Sequence, residues 1–156
     1  MKPRVYVETS VISYLPGRPS RDLVTAAHQE ITRDWWEQRA RFDLFVSQAV
    51  LAEAARGDPE AATRRLEALR EAAVLPVTAE AADLAERLVQ EHAMAAEAAI
   101  DAVHVAVAVV NGMDYLVTWN CAHIANAALR VKIEQTCRQA GLQAPVICTP
   151  EELMQE

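Results

Sequence analysis

The chain has 156 residues, a formal charge of −7, 52% hydrophobic residues and only 5% aromatic ones. This suits a single domain over residues 1–156, with one core filled mainly by Ala, Val and Leu. It excludes a membrane span, since no run approaches the ~18 apolar residues needed, and the acidic balance argues against binding through phosphate charge unless metal ions and a local basic strip offset it.

Residues 5–7 are a short apolar run expected to form the first strand, with Glu8, Thr9 and Ser10 at its exit. Ser10 is expected to cap a short helix over 11–15, stopped by Pro16-Gly17. Residues 20–41 carry a helical pattern with Leu23, Ala27, Ile31, Trp35 and Gln38 on or near one face. The second strand is expected over 42–46. Ser47 then stands at an N-cap before a helix over 48–56, and Pro59 opens a further helix to about Ala72. A strand over 74–77 leads to Thr78, the N-cap of a helix reaching about His92. Residues 96–110 read as a strongly apolar helix closed by Asn111-Gly112. A strand over 115–118, a helix over 122–140 ended by Gly141, a last strand over 145–148 and a short helix after Pro150 complete the chain. Strands alternate with helices, and most strands are apolar without alternation. That pattern predicts an α/β fold whose parallel sheet is covered on both faces.

Acidic residues fall at telling places in this plan. Glu8 leaves the first strand at its carboxyl end, where open α/β sheets bind ligands. Glu53 lies about two turns into the helix after the second strand. Asp101 sits among Ala98, Ala99, Ile100, Ala102 and Val103, a costly setting for a charge unless it is paired or bound to metal. Helical spacing places Glu97 and His104 beside it. Asn120 follows the fourth strand. Each has a simpler reading: Glu8 as a helix cap, Glu53 as a solvated residue, Asp101 as part of an exposed stripe. Jointly, three carboxylates facing one rim call for a cation. Oxygen donors select magnesium, manganese or calcium over zinc, and such a centre suits phosphodiester hydrolysis. At the same rim, Trp119 is placed to stack on a base or to pack beside the strand end, and His123 to contact phosphate or donate a proton. His104 either assists the centre or is a satisfied helix histidine. The three cysteines are scattered, which fits reduced thiols. With no signal-like apolar segment after the N-terminal Met-Lys-Pro-Arg, a cytoplasmic protein is expected.

Four pieces together resemble the PIN domain nucleases, most closely the toxin-type (VapC-like) ribonucleases of type II toxin–antitoxin systems: Val5-Tyr6-Val7-Glu8-Thr9-Ser10, the stretch from Ser47 to Glu53, Ile100-Asp101-Ala102-Val103-His104-Val105-Ala106, and the stretch from Met113 to Asn120. The resemblance implies a three-layer α/β/α sandwich with a central parallel sheet of about four to five strands. It implies a Mg²⁺- or Mn²⁺-dependent endoribonuclease acting on RNA, commonly a homodimer, inhibited by a cognate antitoxin protein. Carried over position by position, Glu8, Glu53 and Asp101 are the metal ligands and Asn120 fills the fourth catalytic position. Thr9, Ser10 and Thr118 are the polar residues around them. The sequence departs from the family pattern at Glu8 and Asn120, where Asp is usual. These departures keep open an alternative, a catalytically weak or inactive PIN-fold module that binds RNA or a partner protein.

Overall fold

A computed structural model describes residues 1–155. Five strands, β1 (Arg4–Val7), β2 (Asp43–Ser47), β3 (Ala73–Leu75), β4 (Tyr115–Val117) and β5 (Val146–Cys148), form one sheet in the order β3-β2-β1-β4-β5. Every pairing is parallel. Helices α1 (Thr9–Ser13), α2 (Leu23–Glu37), α3 (Gln48–Ala54), α4 (Pro59–Ala68), α5 (Ala79–Gln90), α6 (Ala99–Val110) and α7 (Ala127–Gln139) connect and cover the strands. The architecture is a three-layer α/β/α sandwich. Its cause is legible in β1, whose Val5, Tyr6 and Val7 are all fully buried at the centre of the sheet. A strand apolar on both faces is stable only where helices cover both.

The strand order places the functional region. From β1 the chain winds outward through β2 to β3, then crosses back and winds the other way through β4 to β5. The winding therefore reverses between β1 and β4, which pair with Val7 opposite Val117. At such a reversal the connections leave in opposite directions and open a crevice beyond the carboxyl ends of the two strands. Glu8 leaves β1 at this point and Thr118 leaves β4.

Helix α6 is the central buried helix, with Ala102 and every residue from His104 to Val109 inaccessible or nearly so. Its alanines let it lie close to its neighbours. Gly112, at φ 65°, supplies the left-handed residue that ends it.

Three local features differ from the sequence expectation. The first short helix spans Thr9–Ser13, and its N-cap is Glu8, whose carboxylate accepts the Ser10 N–H; Ser10 lies inside the helix. In α2 the inward residues are Gln29, Thr32 and Trp35, while Leu23 is 86% exposed. Hydrophobic periodicity misplaces this face because two of its inward residues are polar and bonded. Gln29 holds the loop before α2 through Ser20 N–H and the Arg18 carbonyl. Thr32 receives the indole N–H of Trp119 at 2.7 Å. Finally, α7 starts at Ala127, because residues 121–124 form a turn fastened to Asn120.

Candidate functional site

Glu8 is the best-held side chain at the crevice. It is 4% exposed. Its Oε2 accepts the Ser10 N–H at 3.1 Å, and its Oε1 accepts the hydroxyls of Ser10 at 2.5 Å and Thr118 at 2.6 Å. The Thr118 bond crosses from β4 to β1, so the carboxylate ties together the two strands that flank the reversal. Desolvating a carboxylate costs several kcal/mol, and each hydrogen bond to a charged group returns about 1.5–3 kcal/mol. Three such bonds make the buried charge tolerable.

Glu53, on α3, lies alongside. Thr9 Oγ1 donates to its Oε1 at 3.0 Å, and Nε2 of His104, from α6, donates to the same oxygen. Neighbouring residues of α1 thus serve the two acids, Thr9 holding Glu53 and Ser10 holding Glu8. His104 is fully buried. Its other nitrogen, Nδ1, is 2.7 Å from the Tyr6 hydroxyl, which is 2.8 Å from Ser47 Oγ. Ser47 in turn caps α3 by accepting the Val50 N–H. The result is an internal polar chain, Glu53–His104–Tyr6–Ser47, that joins α3, α6 and β1. Burial pushes the Glu53 carboxyl up. The hydrogen bond and charge of His104, with Thr9 and Arg56, outweigh that effect and hold it below its ordinary value of 4.5. Burial also drives the Tyr6 hydroxyl up, so it acts as a neutral hydrogen-bonding link.

Asp101 stands in the first turn of α6, one turn before His104 and half-buried. An acid here is favoured by the helix dipole. Among the described residues its carboxylate has no hydrogen-bond or ion-pair partner. Glu97 falls outside this face, in a 3-10 turn ahead of α6, and is exposed. Asn120 holds the turn that follows β4. Its Oδ1 accepts the His123 N–H at 3.1 Å, and its carbonyl accepts those of Ile124 and Ala125. It is anchored to the crevice by its own N–H, which donates to Thr118 Oγ1 at 2.9 Å.

Residues 5–120, running from the first residue of the central apolar run to Asn120, match the family model of the PIN domain. The chain belongs to the PIN domain family. Two solved structures share the PIN fold seen here. One is the Mycobacterium tuberculosis VapC20, a Sarcin-Ricin loop cleaving toxin, at TM-score 0.55 and 22% identity, covering 72% of this chain and 86% of that one. The other is VapBC2 from Rickettsia felis, bound to a DNA fragment from its promoter, at TM-score 0.57 and 15% identity, covering 94% of this chain and 98% of that one. No curated protein matches the sequence.

In this PIN domain, Glu8, Glu53 and Asp101 present carboxylate oxygens, the hard donors that magnesium and manganese prefer. Among the described residues, Glu53 Oε2 and the whole Asp101 carboxylate lack protein donors and are free to ligate. By donor chemistry the residues fit a hard divalent cation. Among the described residues, however, no three His, Cys, Asp or Glu side chains already converge on one point where an ion would sit. Glu8 in particular is fully engaged by Ser10 and Thr118. A cavity of about 680 Å³, lined by Arg130, Arg138 and Glu152 among others, lies between α7 and β5 and contains none of these acids.

The other rim residues take clear positions. Trp119 packs, as 9% exposure requires, with its indole N–H on Thr32. His123 borders a groove with His92, Met94 and Leu129. His104 is both a satisfied histidine and the direct partner of Glu53. Tyr6 and Ser47 drew no attention as site residues in the sequence, where a strand tyrosine and a helix-capping serine have ordinary explanations. Only the pairing of β1 with β2, with Tyr6 opposite Phe45, brings them within reach of each other.

Proposed function

We propose that this PIN domain is a divalent-cation-dependent endoribonuclease, the toxin of a toxin–antitoxin pair. The observation that carries the reading is a pair of adjacent polar clusters at the β1–β4 reversal, in which Ser10 and Thr118 hold the carboxylate of Glu8 and Thr9 and His104 hold that of Glu53. Membership of the PIN family and the likeness of fold to VapC20, a Sarcin-Ricin loop cleaving toxin, and to VapBC2 support it. Glu53 and Asp101 would hold a Mg²⁺ or Mn²⁺ ion, with Glu8 completing the negative field. Such a cation, when bound, stabilises charge on a phosphate and lowers the pKa of water.

The chain's own residues have distinct roles in this reading. His104 and Thr9 fix Glu53 in its ionised form and leave Oε2 outward. Asp101, free of protein donors, orients the attacking water. Ser10 and Thr118 hold Glu8 in place behind the crevice. Asn120 presents an amide without charge and shapes the turn beside the substrate. RNA is the substrate, the inhibitor is a cognate antitoxin protein entering the same acidic crevice, and the toxin acts as a homodimer in the cytoplasm.

The test is cleavage of an RNA pool with Mg²⁺ or Mn²⁺. EDTA is expected to abolish it. Asp101→Ala is expected to cost more than the roughly 10–100-fold typical of an outer-sphere residue, and Asn120→Asp to retain or raise activity by adding a fourth charge. Cleavage that persists in EDTA, or at unchanged rate in Asp101→Ala, overturns the mechanism. A second reading, a PIN-fold module with little catalysis that binds RNA or a partner protein, is favoured by one observation: both oxygens of Glu8 are occupied by protein donors. Weak Mn²⁺ binding without cleavage of any RNA would select it.

A further inference from the structure

The ring of Trp119 is the back wall of a small aromatic cluster. His28, on α2, lies flat against it, with ring centroids 4.0 Å apart and planes 13° from parallel. Tyr14, which caps α1, stands edge-on to both, at 6.1 Å from His28 and 6.5 Å from Trp119. Trp119 is buried and pinned at its indole N–H by Thr32. His28 and Tyr14 are partly exposed. Among the described residues, the imidazole nitrogens of His28 and the hydroxyl of Tyr14 have no hydrogen-bond partner. An imidazole held in one plane, with no internal bond to make, is ready to meet a ligand.

The cluster is coupled to the acidic crevice. The backbone N–H of Trp119 donates to Ser10 Oγ at 2.8 Å, and the same oxygen binds Glu8. Tyr14 terminates the helix that Glu8 begins. On the other side runs the loop between α1 and α2, carrying the exposed Arg18 and Arg21. This loop is fastened to α2 near His28 by Gln29, which bonds Ser20 and Arg18, and by Arg33, which donates to the Gly17 carbonyl at 3.1 Å. In a chain of net charge −7, acids, aromatics and a basic loop thus succeed one another over a single corner of the molecule.

Single-stranded nucleic acid is bound by this combination: aromatic faces that bases stack on, beside cations that track the backbone. We infer that Tyr14 and His28, backed by Trp119, form a nucleobase site for a single-stranded RNA whose phosphates run along Arg18 and Arg21 toward Glu8. The inference rests on the nuclease reading and identifies where its substrate lands. It also accounts for how an acidic protein retains a polyanion, through a local strip and not through overall charge.

The experiment measures RNA affinity in an Asp101→Asn background, so that cleavage does not consume the probe, a short single-stranded RNA carrying a fluorescent adenine analogue. His28→Ala is expected to weaken binding about tenfold, in the range of one lost base stack, and to abolish the quenching that stacking produces. His28→Phe is expected to restore both. Arg18→Glu combined with Arg21→Glu, on an exposed loop outside the core, is expected to weaken binding and reduce its salt dependence. In the Asp101 wild-type background, the same changes should raise KM for cleavage. A chain that cleaves RNA but binds it equally well after His28→Ala and after the arginine reversals overturns the base site and leaves the nuclease reading standing. A chain that neither binds nor cleaves any RNA overturns both.

Discussion

His104 shows how one buried side chain ties a core helix to a candidate site residue. It is fully enclosed, yet both of its nitrogens are bonded, one toward Tyr6 and the other to Glu53. His104→Ala leaves a cavity and strands two polar groups, so a loss of about 3 kcal/mol in urea unfolding is expected. Ser47→Ala removes a helix cap and the far end of the same chain, and about 1–2 kcal/mol is expected there. Glu53 gives a pH signature with a definite sign. Its carboxyl is held below 4.5 in the folded protein and titrates near that value when unfolded. The unfolded chain therefore takes up this proton first as the pH drops. The stability due to Glu53 is complete above about pH 4.5 and is lost as the pH falls through the folded value. Unfolding free energy followed against pH should fall less steeply in this acid range for Glu53→Gln than for the native chain. Parallel curves for the two proteins would refute the assignment.

At the scale of elements, the crevice is made by what links β1 to β4 beyond their ladder. Thr118 is the link: its hydroxyl donates to Glu8 and accepts from the Asn120 N–H. Thr118→Val keeps the volume and removes both bonds. A destabilisation of about 1–3 kcal/mol in urea unfolding is expected from leaving a buried carboxylate one donor short. Helix α6 offers a separate test. Ala106 and Ala108 are both inaccessible, on different sides of a helix buried nearly all round. Ala106→Leu is expected to cost about 1–3 kcal/mol through overpacking while Asp101 and His104 remain in place. An unchanged melting temperature would mean that α6 sits less tightly than described.

For the whole molecule, the proposed cation site is testable through the linkage between ligand binding and folding. An ion that binds only the folded crevice raises stability by about 2.7 kcal/mol at about 100 times its Kd, or roughly 5–10 °C in Tm for a chain of this size. Mn²⁺ titration is expected to raise the Tm of the native protein and to leave that of Asp101→Asn unmoved. Equal shifts in both would place the ion elsewhere.

The order of elements, the parallel sheet and the positions of Glu8, Glu53 and Asp101 were legible in the sequence, because burial on two faces writes continuous apolar strands and makes an isolated charge conspicuous among alanines. Other features depended on residues distant in the chain. Ser10 gave up the cap to Glu8, because Thr118, 110 positions away, adds a bond that fixes the carboxylate over the helix start. The inward face of α2 turned on Trp119 finding Thr32 across 87 positions. His28 became noticeable only when that indole lay beneath it. The sequence by itself determined which residues are apolar, which are charged and where each strand must end. Tertiary structure alone decided the strand order, hence the reversal between β1 and β4, and with it which hydroxyls, imidazoles and aromatic rings surround the acids. Polar partners are chosen by proximity in space, and a one-dimensional pattern of hydrophobicity carries no record of it.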